Sequence, residues 1–139
     1  MAEQVIVYTY GVFDLLHVGH VQLLQEAKVL GDKLMVGVFT DEVSKSFKRM
    51  PIIPQEQRME MLRALRFVDD VVLQHELAPD TNLKKYKPHI LAKGLGANWE
   101  EGKTPPGAEV MAELGGKVVF LSYHEGISTS QIIKRCQDC

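Results

Sequence analysis

Cysteine is scarce in this chain of 139 residues, which has only two. Both lie in the segment "CQDC", as Cys136 and Cys139. A C-x-x-C pair can be a redox or metal motif, but this one stands in a polar segment with no following helix to lower a thiol pKa. The sequence has no second pair that could complete a zinc site. We therefore expect no redox centre and no metal held by the protein.

Long hydrophobic runs, a secretory signal and an excess of one charge are also missing. No window approaches the roughly eighteen consecutive apolar residues that a membrane span needs. The opening segment "MAEQVIVYTY" lacks the basic start and the long apolar centre of a signal peptide. The formal net charge of −2 argues against broad binding of nucleic acid. These absences predict a cytoplasmic protein with no membrane or nucleic-acid partner.

The composition is that of an ordinary globular domain, with 45% hydrophobic and 24% charged residues. The strand candidates are "QVIVYTY", "KLMVGVF", "VVL", "HILAK" and "KVVFLSY". The helix candidates that alternate with them are "HVQLLQEAKVL", "QEQRMEMLRAL", "PDTNLKKY", "AEVMAEL" and "STSQIIKRC". The segment "TDEVSKSFKRMPIIP" is predicted to be an exposed loop. The alternation predicts one α/β domain, residues 1–139, whose parallel sheet is covered by helices on both faces.

Two histidines, His17 and His20, stand at the start of the first predicted helix, after a strand and a glycine turn. In parallel α/β sheets ligands bind beyond the carboxyl ends of the strands, and the first strand candidate ends at Tyr10. A helix N-terminus favours anions such as phosphate, and residues three apart share a helix face. Gly11 and Gly19 would let a ligand approach the backbone closely. Taken alone, the histidines are explained equally well as capping or half-buried residues, and their spacing disfavours a metalloprotease-type zinc site.

Two further segments indicate phosphate binding. The segment "SKSFKRM" groups Lys45, Lys48 and Arg49, and a basic segment near a phosphate site can close over it. A charge run is, however, more often a solvated face. The segment "EGISTSQII" places Ser128, Thr129 and Ser130 at a helix start, where one hydroxyl is the usual N-cap. Three hydroxyls together exceed what a cap requires and predict a second phosphate-binding helix end.

Two glycine-containing patterns are decoys. The segment "ANWEEGKT", residues 97–104, fits a relaxed P-loop pattern. Glu100 and Glu101 would repel phosphates there, and Trp99 is too large for a tight cradle. Pro105 follows at once and lacks an N–H donor. The segment "GLG", residues 94–96, lacks the third glycine of a dinucleotide fingerprint. Neither pattern predicts a nucleotide site by itself.

Taken together, the motifs resemble those of the cytidylyltransferase-like nucleotidyltransferases. The segment "YGVFDLLHVGH" carries the H-x-G-H signature of that superfamily, preceded by the G-x-F-D of its cytidylyltransferase branch. "FKR" resembles the F-K-G loop of phosphocholine cytidylyltransferases, "EQR" and "LRFVDDVV" resemble their E-x-R and R-Y-V-D-E-V-V segments, and "EGISTS" is similar to their R-T-E-G-I-S-T-S. The match runs from about Val5 to about Arg135. It implies a Rossmann-like parallel five-stranded sheet.

The resemblance also implies a reaction and a set of site residues. A substrate phosphate would attack the α-phosphorus of a nucleoside triphosphate, and pyrophosphate would leave with Mg²⁺ and without a covalent enzyme intermediate. The residues implied to be catalytic are His17, His20 and Lys48. The residues implied to bind the nucleotide are Thr9, Tyr10, Gly11, Val12, Phe13, Asp14, Gly19, Lys93, Gly94, Glu125, Gly126, Ile127, Ser128 and Thr129. The residues implied to bind the second substrate are Arg58, Arg66 and Trp99, and the family commonly forms homodimers.

Two departures from the family pattern leave the substrates open. Tyr123 and His124 stand where the relatives have Arg-Thr before E-G-I-S-T, and a phenol cannot replace a bidentate arginine contact with phosphate. Either Lys93 or Lys103 takes over that contact, or the acceptor differs. The segments "PQEQRMEML", "LAKG" and "GGKVVFLSYHEG" resemble adenylyltransferases that make ADP-heptose. By contrast, "NWEEGK" resembles the D-W-E-G-K of glycerol-3-phosphate cytidylyltransferases.

The sequence therefore predicts a nucleotidyltransferase that joins CTP to a small phosphorylated alcohol such as glycerol 3-phosphate, giving a CDP-alcohol and pyrophosphate. An ATP-dependent adenylyltransferase acting on a heptose 1-phosphate is the first alternative. A nucleotide-binding regulatory protein that has lost catalysis is an alternative of another class. The presence of both histidines, Lys48 and the Ser-Thr pair argues against that last alternative.

Overall fold

The chain folds around one parallel sheet of five strands. The computed structural model describes residues 3–94, 104–121 and 128–138. The strands are β1 (Ile6–Gly11), β2 (Lys33–Phe39), β3 (Asp70–Gln74), β4 (Ile90–Gly94) and β5 (Lys117–Leu121). They lie in the order β3-β2-β1-β4-β5, and every neighbouring pair is parallel. The predicted α/β fold with a five-stranded, Rossmann-like sheet is therefore confirmed.

Six helices lie in the described ranges: α1 (Val18–Val29), α2 (Asp41–Phe47), α3 (Gln55–Arg63), α4 (Asp80–Tyr86), α5 (Ala108–Glu113) and α6 (Thr129–Gln137). Helix α2 corrects the sequence prediction, which made this segment a loop. The Thr40 hydroxyl caps the helix by accepting the Val43 N–H at 3.1 Å. Asp41 and Glu42 follow in the first turn, where their negative charges interact favourably with the positive end of the helix dipole. Only Val43 and Phe47 of its seven residues are large and apolar, which is too few to give a clear helical period in the sequence.

Both faces of the sheet are buried, as the apolar strands require. On one face Val7, Val36 and Val38 pack with Leu24 of α1 and Leu62 of α3. On the other face the strands pack against a second cluster, which comprises Tyr8, Leu83, Leu91, Val110 and Met111. Helices α1 and α3 thus cover the first face, and α4 and α5 cover the second. In the ranges that the structure describes, no helix is long and apolar enough to cross a membrane.

A buried polar network lies under the second face. The Tyr8 hydroxyl donates to Gln74 Oε1 at 2.6 Å and accepts from Asn82 Nδ2 at 3.0 Å. Gly37 on the neighbouring strand makes room for it, because a Cβ there would come within 1.9 Å of the Tyr8 hydroxyl oxygen. The Gln74 amide in turn donates to the carbonyl of Leu77 at 3.3 Å. The network ties β1 to the segment between β3 and α4, and Leu77 in that segment reaches the cavity described next.

Candidate functional site

A cavity of about 550 Å³ opens at the carboxyl ends of the strands. The order of the strands reverses between β1 and β4, and ligands of open α/β sheets bind at such a switch point. The cavity is lined by Thr9, Tyr10, Gly11, Val12, Phe13, Asp14, His20, Leu23, Phe39, Phe47, Lys48, Arg49, Pro51, Leu77, Ala92, Lys93, Gly94, Pro106 and Thr129. Its volume is that of a site for a small molecule.

The loop between β1 and α1 has an unusual backbone. Phe13 and Leu15 have φ angles of 55° and 50°, in the left-handed region that side chains rarely occupy. Asp14 between them is buried, and its carboxylate accepts the Ile52 N–H at 2.8 Å and the Ile53 N–H at 3.0 Å. These two bonds hold the loop against the segment that follows α2. Backbone strain that surroundings sustain in this way is typical of a functional site.

The same loop is also tied to α6. The Thr129 hydroxyl donates to the Asp14 carbonyl oxygen at 2.7 Å, and both residues line the cavity. Ser128 caps α6 by accepting the Gln131 N–H at 3.1 Å. Ser128 therefore has a structural bond, whereas Thr129 faces the cavity at the start of the helix. The N-termini of α1 and α6 are thus brought to one site, although they are far apart in the sequence.

His17 and His20 form a reciprocal cap at the start of α1. His17 Nδ1 accepts the Gly19 N–H at 3.1 Å, and His20 Nδ1 accepts the His17 N–H at 3.2 Å. An imidazole nitrogen that accepts a hydrogen bond carries no proton, so in each neutral ring the proton resides on Nε2. The rings stack with centroids 3.8 Å apart. Helix capping and ligand binding by these histidines are therefore compatible, because Nδ1 makes the cap and the Nε2–H group can donate to a ligand.

Burial keeps these imidazoles neutral. Burial lowers the pKa of His20 to about 3, with smaller contributions from the neighbouring His17 and Lys48 charges and an opposing one from Asp14. Burial also lowers the pKa of His17. At neutral pH the pair thus offers Nε2–H donors and no positive charge. Two charged imidazoles stacked this closely would repel, which disfavours the doubly protonated pair.

Lysine and arginine supply the positive charge at this end of the cavity. Lys48 and Arg49 follow the end of α2 and both line the cavity. Burial, followed by the neighbouring Arg49 charge, lowers the pKa of Lys48, and Asp14 opposes that shift. Lys45, the third basic residue of the predicted segment, is exposed on α2 and lies outside the cavity lining. The structure therefore brings two of the three basic residues to the site.

Another part of the cavity lining, the aromatic end, is formed by rings that extend from Phe47, directly before Lys48, to Phe39 and Tyr10. The Tyr10 ring packs edge-on against Phe39, which packs edge-on against Phe47, with centroid distances of 5.6 and 5.3 Å. Lys93 Nζ donates to the Tyr10 hydroxyl at 2.8 Å, and burial lowers the pKa of this lysine. Burial, with a smaller effect of the Asp80 charge, raises the pKa of Tyr10 to about 12. Tyr10 is thus a neutral hydroxyl that accepts from a cation at neutral pH.

Most of the predicted nucleotide-binding residues converge at this site. Nine of them line the cavity: Thr9, Tyr10, Gly11, Val12, Phe13, Asp14, Lys93, Gly94 and Thr129. Of the predicted catalytic residues, His20 and Lys48 line it, and His17 stacks on His20. Gly19 contributes its N–H to the His17 cap. The predicted residues Trp99, Glu125, Gly126 and Ile127 lie outside the described residues, as does Lys103.

Phe39, Phe47, Leu77 and Arg49 line the cavity but were not assigned to the site from the sequence. The two phenylalanines end β2 and α2, so a signal existed in their position at the carboxyl end of a strand and beside the basic segment. Leu77 carried no such signal, because its place depends on the buried network under β1 and β3. Arg49 was noticed as part of a charge run but not given a role.

These motifs and this geometry agree with the comparisons to known proteins. A family model described as cytidylyltransferase-like matches residues 8–135. The chain belongs to this family. The family is one of nucleotidyltransferases, which confirms the coarse class that the motifs indicate. The match covers both histidines and the α6 start, and so includes the whole described site.

Among curated relatives, the bifunctional protein HldE of Pelobacter propionicus is 42% identical over 132 residues, which cover 94% of this chain and 26% of that protein. The HldE of Cronobacter sakazakii is 41% identical over 134 residues, covering 95% of this chain and 28% of its own length. The chain therefore spans about a quarter of the length of these family members. The resemblance concerns one segment of longer proteins.

Solved structures agree on the fold. The lipopolysaccharide core biosynthesis protein from Thermoplasma volcanium is similar with a TM-score of 0.75 and 29% identity, over 90% of this chain and 100% of that one. The pantoate-β-alanine ligase from Francisella tularensis has a TM-score of 0.54 at 13% identity, over 96% of this chain and 69% of that one. At that identity the second likeness shows the shared fold alone.

Two arginines that the resemblance placed at the second substrate do not reach the cavity of this family member. Arg58 is buried, and its guanidinium donates to the Ile53 carbonyl at 2.9 Å, the Val12 carbonyl at 2.7 Å and the Asp41 carboxylate at 2.6 Å. Arg66 is exposed in the turn before β3, at the amino end of the strands and away from the cavity. The family motifs identified both residues as candidates. Arg58 is instead buried and holds neighbouring segments together by its hydrogen bonds. Arg66 lies before β3, at the end of the sheet away from the cavity.

The described residues do not form a site for a resident metal ion. Within residues 3–94, 104–121 and 128–138, no three His, Cys, Asp or Glu side chains are grouped to hold one. Asp14 is the acidic residue of the described cavity lining, and both its carboxylate oxygens already accept backbone N–H groups. The Mg²⁺ that the family resemblance implies, carried by the nucleoside triphosphate, stays an expectation.

The first prediction concerns the structural task of Arg58. We expect Arg58→Met to lower the free energy of unfolding by about 3 kcal/mol, because it removes three hydrogen bonds and leaves the Asp41 carboxylate without its cation. Arg66→Met is the matched control and should change that free energy by less than about 0.5 kcal/mol. Urea denaturation of both variants measures the difference. Equal small effects would contradict the structural role of Arg58.

The second prediction follows from the low pKa of His20. An unfolded histidine takes up a proton near pH 6.5, whereas folded His20 does so only near 3, so stability is full above 6.5 and falls as the pH drops. His20→Gln keeps a side-chain acceptor for the cap and removes the titration. Between pH 7 and 5 we expect the wild type to lose up to about 2 kcal/mol more than this variant. Urea unfolding at both pH values measures this, and parallel losses would argue against a buried neutral His20.

Proposed function

We propose that this chain is an ATP-dependent adenylyltransferase that acts on a sugar 1-phosphate, with heptose 1-phosphate as the leading acceptor. The observation that carries a nucleotidyl transfer is the convergence of His20, Lys48 and Thr129 on one cavity at the switch point of the sheet. The preference for ATP rests on the HldE relatives, about 42% identical over nearly the whole chain, together with the ADP-heptose-like segments of the sequence. These relatives favour this alternative over the CTP-dependent interpretation.

The reaction would form one phosphorus–oxygen bond and break another. An oxygen of the sugar phosphate attacks the α-phosphorus of ATP, the bond from that phosphorus to the bridging β-oxygen breaks, and pyrophosphate leaves. The products are ADP-sugar and pyrophosphate, and no enzyme group becomes covalently attached. Mg²⁺ enters as the counterion of the triphosphate. Because such transfers require little covalent chemistry from the protein, positioning and stabilisation of charge supply the rate.

The residues of the cavity suit these tasks. The Nε2–H groups of His17 and His20 are neutral donors that would stabilise charge as it develops on the transferring and leaving phosphates. Lys48 would bind phosphate from the side opposite α1. The Thr129 hydroxyl already donates to the Asp14 carbonyl oxygen, so the start of α6 would offer backbone N–H groups to phosphate. The backbone of residues 9–14 would line the path of the triphosphate. The aromatic end of the cavity, with Tyr10, is left for the less charged part of a substrate.

CTP with glycerol 3-phosphate is the second candidate, because "FKR", "EGISTS" and "NWEEGK" resemble the cytidylyltransferase branch. A binding protein without catalysis is a third, which the intact set of cavity residues disfavours. Cytoplasmic location and homodimer formation stay predictions from the sequence and its family resemblance.

The third prediction is the choice of substrates. Pyrophosphate release with Mg²⁺ would be measured for ATP and CTP, each crossed with heptose 1-phosphate, glycerol 3-phosphate, phosphocholine and phosphoethanolamine. We expect ATP with heptose 1-phosphate to have a kcat/KM at least about tenfold above any CTP pair. Turnover with a CTP pair alone would support the cytidylyltransferase candidate. Nucleotide binding without turnover of any pair would favour the binding protein.

The fourth prediction separates the two nitrogens of His17. In His17→Asn the amide oxygen can accept the Gly19 N–H, so the cap stays and the Nε2–H donor is lost. We expect kcat to fall by about 10²–10³, the usual cost of removing one charge-stabilising donor, with the free energy of unfolding within about 0.5 kcal/mol of the wild type. Steady-state kinetics and urea unfolding are the measurements.

His17→Ala is the control for the cap, since it removes both nitrogens. It should cost about 1 kcal/mol of stability in addition to the loss of turnover. If His17→Asn turned over at the wild-type rate, the catalytic role of His17 would be wrong.

A further inference from the structure

Arg49 lines the cavity and has no acidic partner among the residues that the structure describes. It follows Lys48 directly after α2 and lines the cavity. Its Nε is buried and has no hydrogen-bond partner among the described residues. One terminal nitrogen lies 3.5 Å from the Ser130 hydroxyl oxygen, at the limit of a hydrogen bond. The guanidinium is thus held near the start of α6 and only weakly satisfied there.

A buried guanidinium N–H without an acceptor is unfavourable, and the cost is largest for charged groups. The described lining of the cavity offers Arg49 no free carboxylate, because both Asp14 oxygens accept N–H groups of Ile52 and Ile53. Lys48 adds a second cation beside it. The Asp14 carboxylate offsets part of the Lys48 charge, but both its oxygens are bound by backbone N–H groups and it makes no ion pair with either cation in the described lining. Two neighbouring cations and one such carboxylate still favour an anion that arrives with a ligand.

The position of Arg49 indicates which part of a bound ligand this residue would contact. It lies between the basic end of α2 and the start of α6, where Thr129 lines the same cavity. The guanidinium presents its donors in a planar fork that matches two oxygens of a phosphate. The family arginine before E-G-I-S-T is replaced by Tyr123 in this sequence, so a basic group is needed from elsewhere. Arg49 reaches the start of the helix that follows this motif, where it lies near Ser130.

We propose that Arg49 binds the β- and γ-phosphates of the nucleoside triphosphate, the part that leaves as pyrophosphate. This inference rests on the proposed function, because it requires that a triphosphate occupies the cavity. Arg49 would then make the phosphate contact of the missing family arginine, and neither Lys93 nor Lys103 would be needed for it. In this role Arg49 contacts the leaving group and closes the cavity between α2 and α6.

The fifth prediction compares nucleotides with and without the two outer phosphates. Calorimetric titration with Mg-ATP and with AMP would be carried out on the wild type and on Arg49→Ala. We expect the variant to bind Mg-ATP about ten- to a hundredfold more weakly, as the loss of charge-assisted bonds implies. AMP affinity should stay within about twofold. Inhibition by pyrophosphate should weaken by the same factor as Mg-ATP binding.

Three further variants test the geometry. Lys45→Ala removes a neighbouring exposed cation outside the cavity, and it should leave Mg-ATP affinity within about twofold. Ser130→Ala removes the weak contact with α6, and it should also have little effect if Arg49 acts on phosphate. Arg49→Lys keeps the charge without the fork, and it should recover only part of the affinity. A loss in Ser130→Ala as large as in Arg49→Ala would instead make Arg49 a structural link to α6.

The outcomes separate this inference from the proposed function. If the wild type binds Mg-ATP and Arg49→Ala binds it equally well, the assignment of Arg49 is wrong while the proposed function stands. If Arg49→Ala weakens Mg-ATP and AMP by the same factor, Arg49 shapes the cavity and does not contact the outer phosphates. If the wild type binds neither ATP nor CTP, the proposed function fails, and this inference fails with it.

Discussion

The site depends on the bonds that hold the β1–α1 loop against the segment after α2. The Asp14 carboxylate accepts two N–H groups of that segment. The Arg58 guanidinium, on the α3 helix that follows the segment, donates to the Val12 carbonyl of the loop. Arg58 also binds Asp41 at the start of α2. Because these groups are buried, their bonds are costly to leave unmade. One set of polar contacts therefore fixes the strained loop, the start of α1 and the position of the basic residues together.

This constraint explains why neutral histidines and charged side chains can share the cavity. The cap bonds hold Nδ1 of both imidazoles, and burial keeps His20 uncharged. The positive charge comes from Lys48 and Arg49, which enter from a different element. If the histidines were charged as well, four cations would crowd one end of a small cavity, and the empty site would be unstable. Neutral donors avoid that cost, because they gain strength only when negative charge develops beside them.

The fold was predictable from the sequence because the signals for it are local. The strands β2 and β4 are rich in apolar residues, with the runs "LMVGVF" and "ILA". The histidines follow a strand whose end marks the ligand side of a parallel sheet. Helix α2 was not predicted, because its seven residues include only two large apolar side chains, Val43 and Phe47, and its Thr40 cap was not used as a helix signal. Arg58 was predicted to bind the substrate, because a sequence motif identifies a residue but does not show whether its side chain is buried. The wall of Phe39 and Phe47 depends on side chains that converge only in the folded chain.

The two ends of the cavity have different consequences for a reaction. Fixed cations such as Lys48 attract phosphate in the substrate and in the transition state alike, so they mainly increase affinity. The Nε2–H groups of the histidines respond to charge that appears during transfer, so they mainly increase the rate. The aromatic end presents the faces and edges of Tyr10 and Phe39, with the ammonium of Lys93 bound to the Tyr10 hydroxyl, and is suited to recognise shape. Only the phosphate-binding end of the cavity can be identified from sequence motifs, namely H-x-G-H and the basic segment. The sequence therefore indicates the type of reaction more directly than it indicates the nucleotide base or the acceptor substrate.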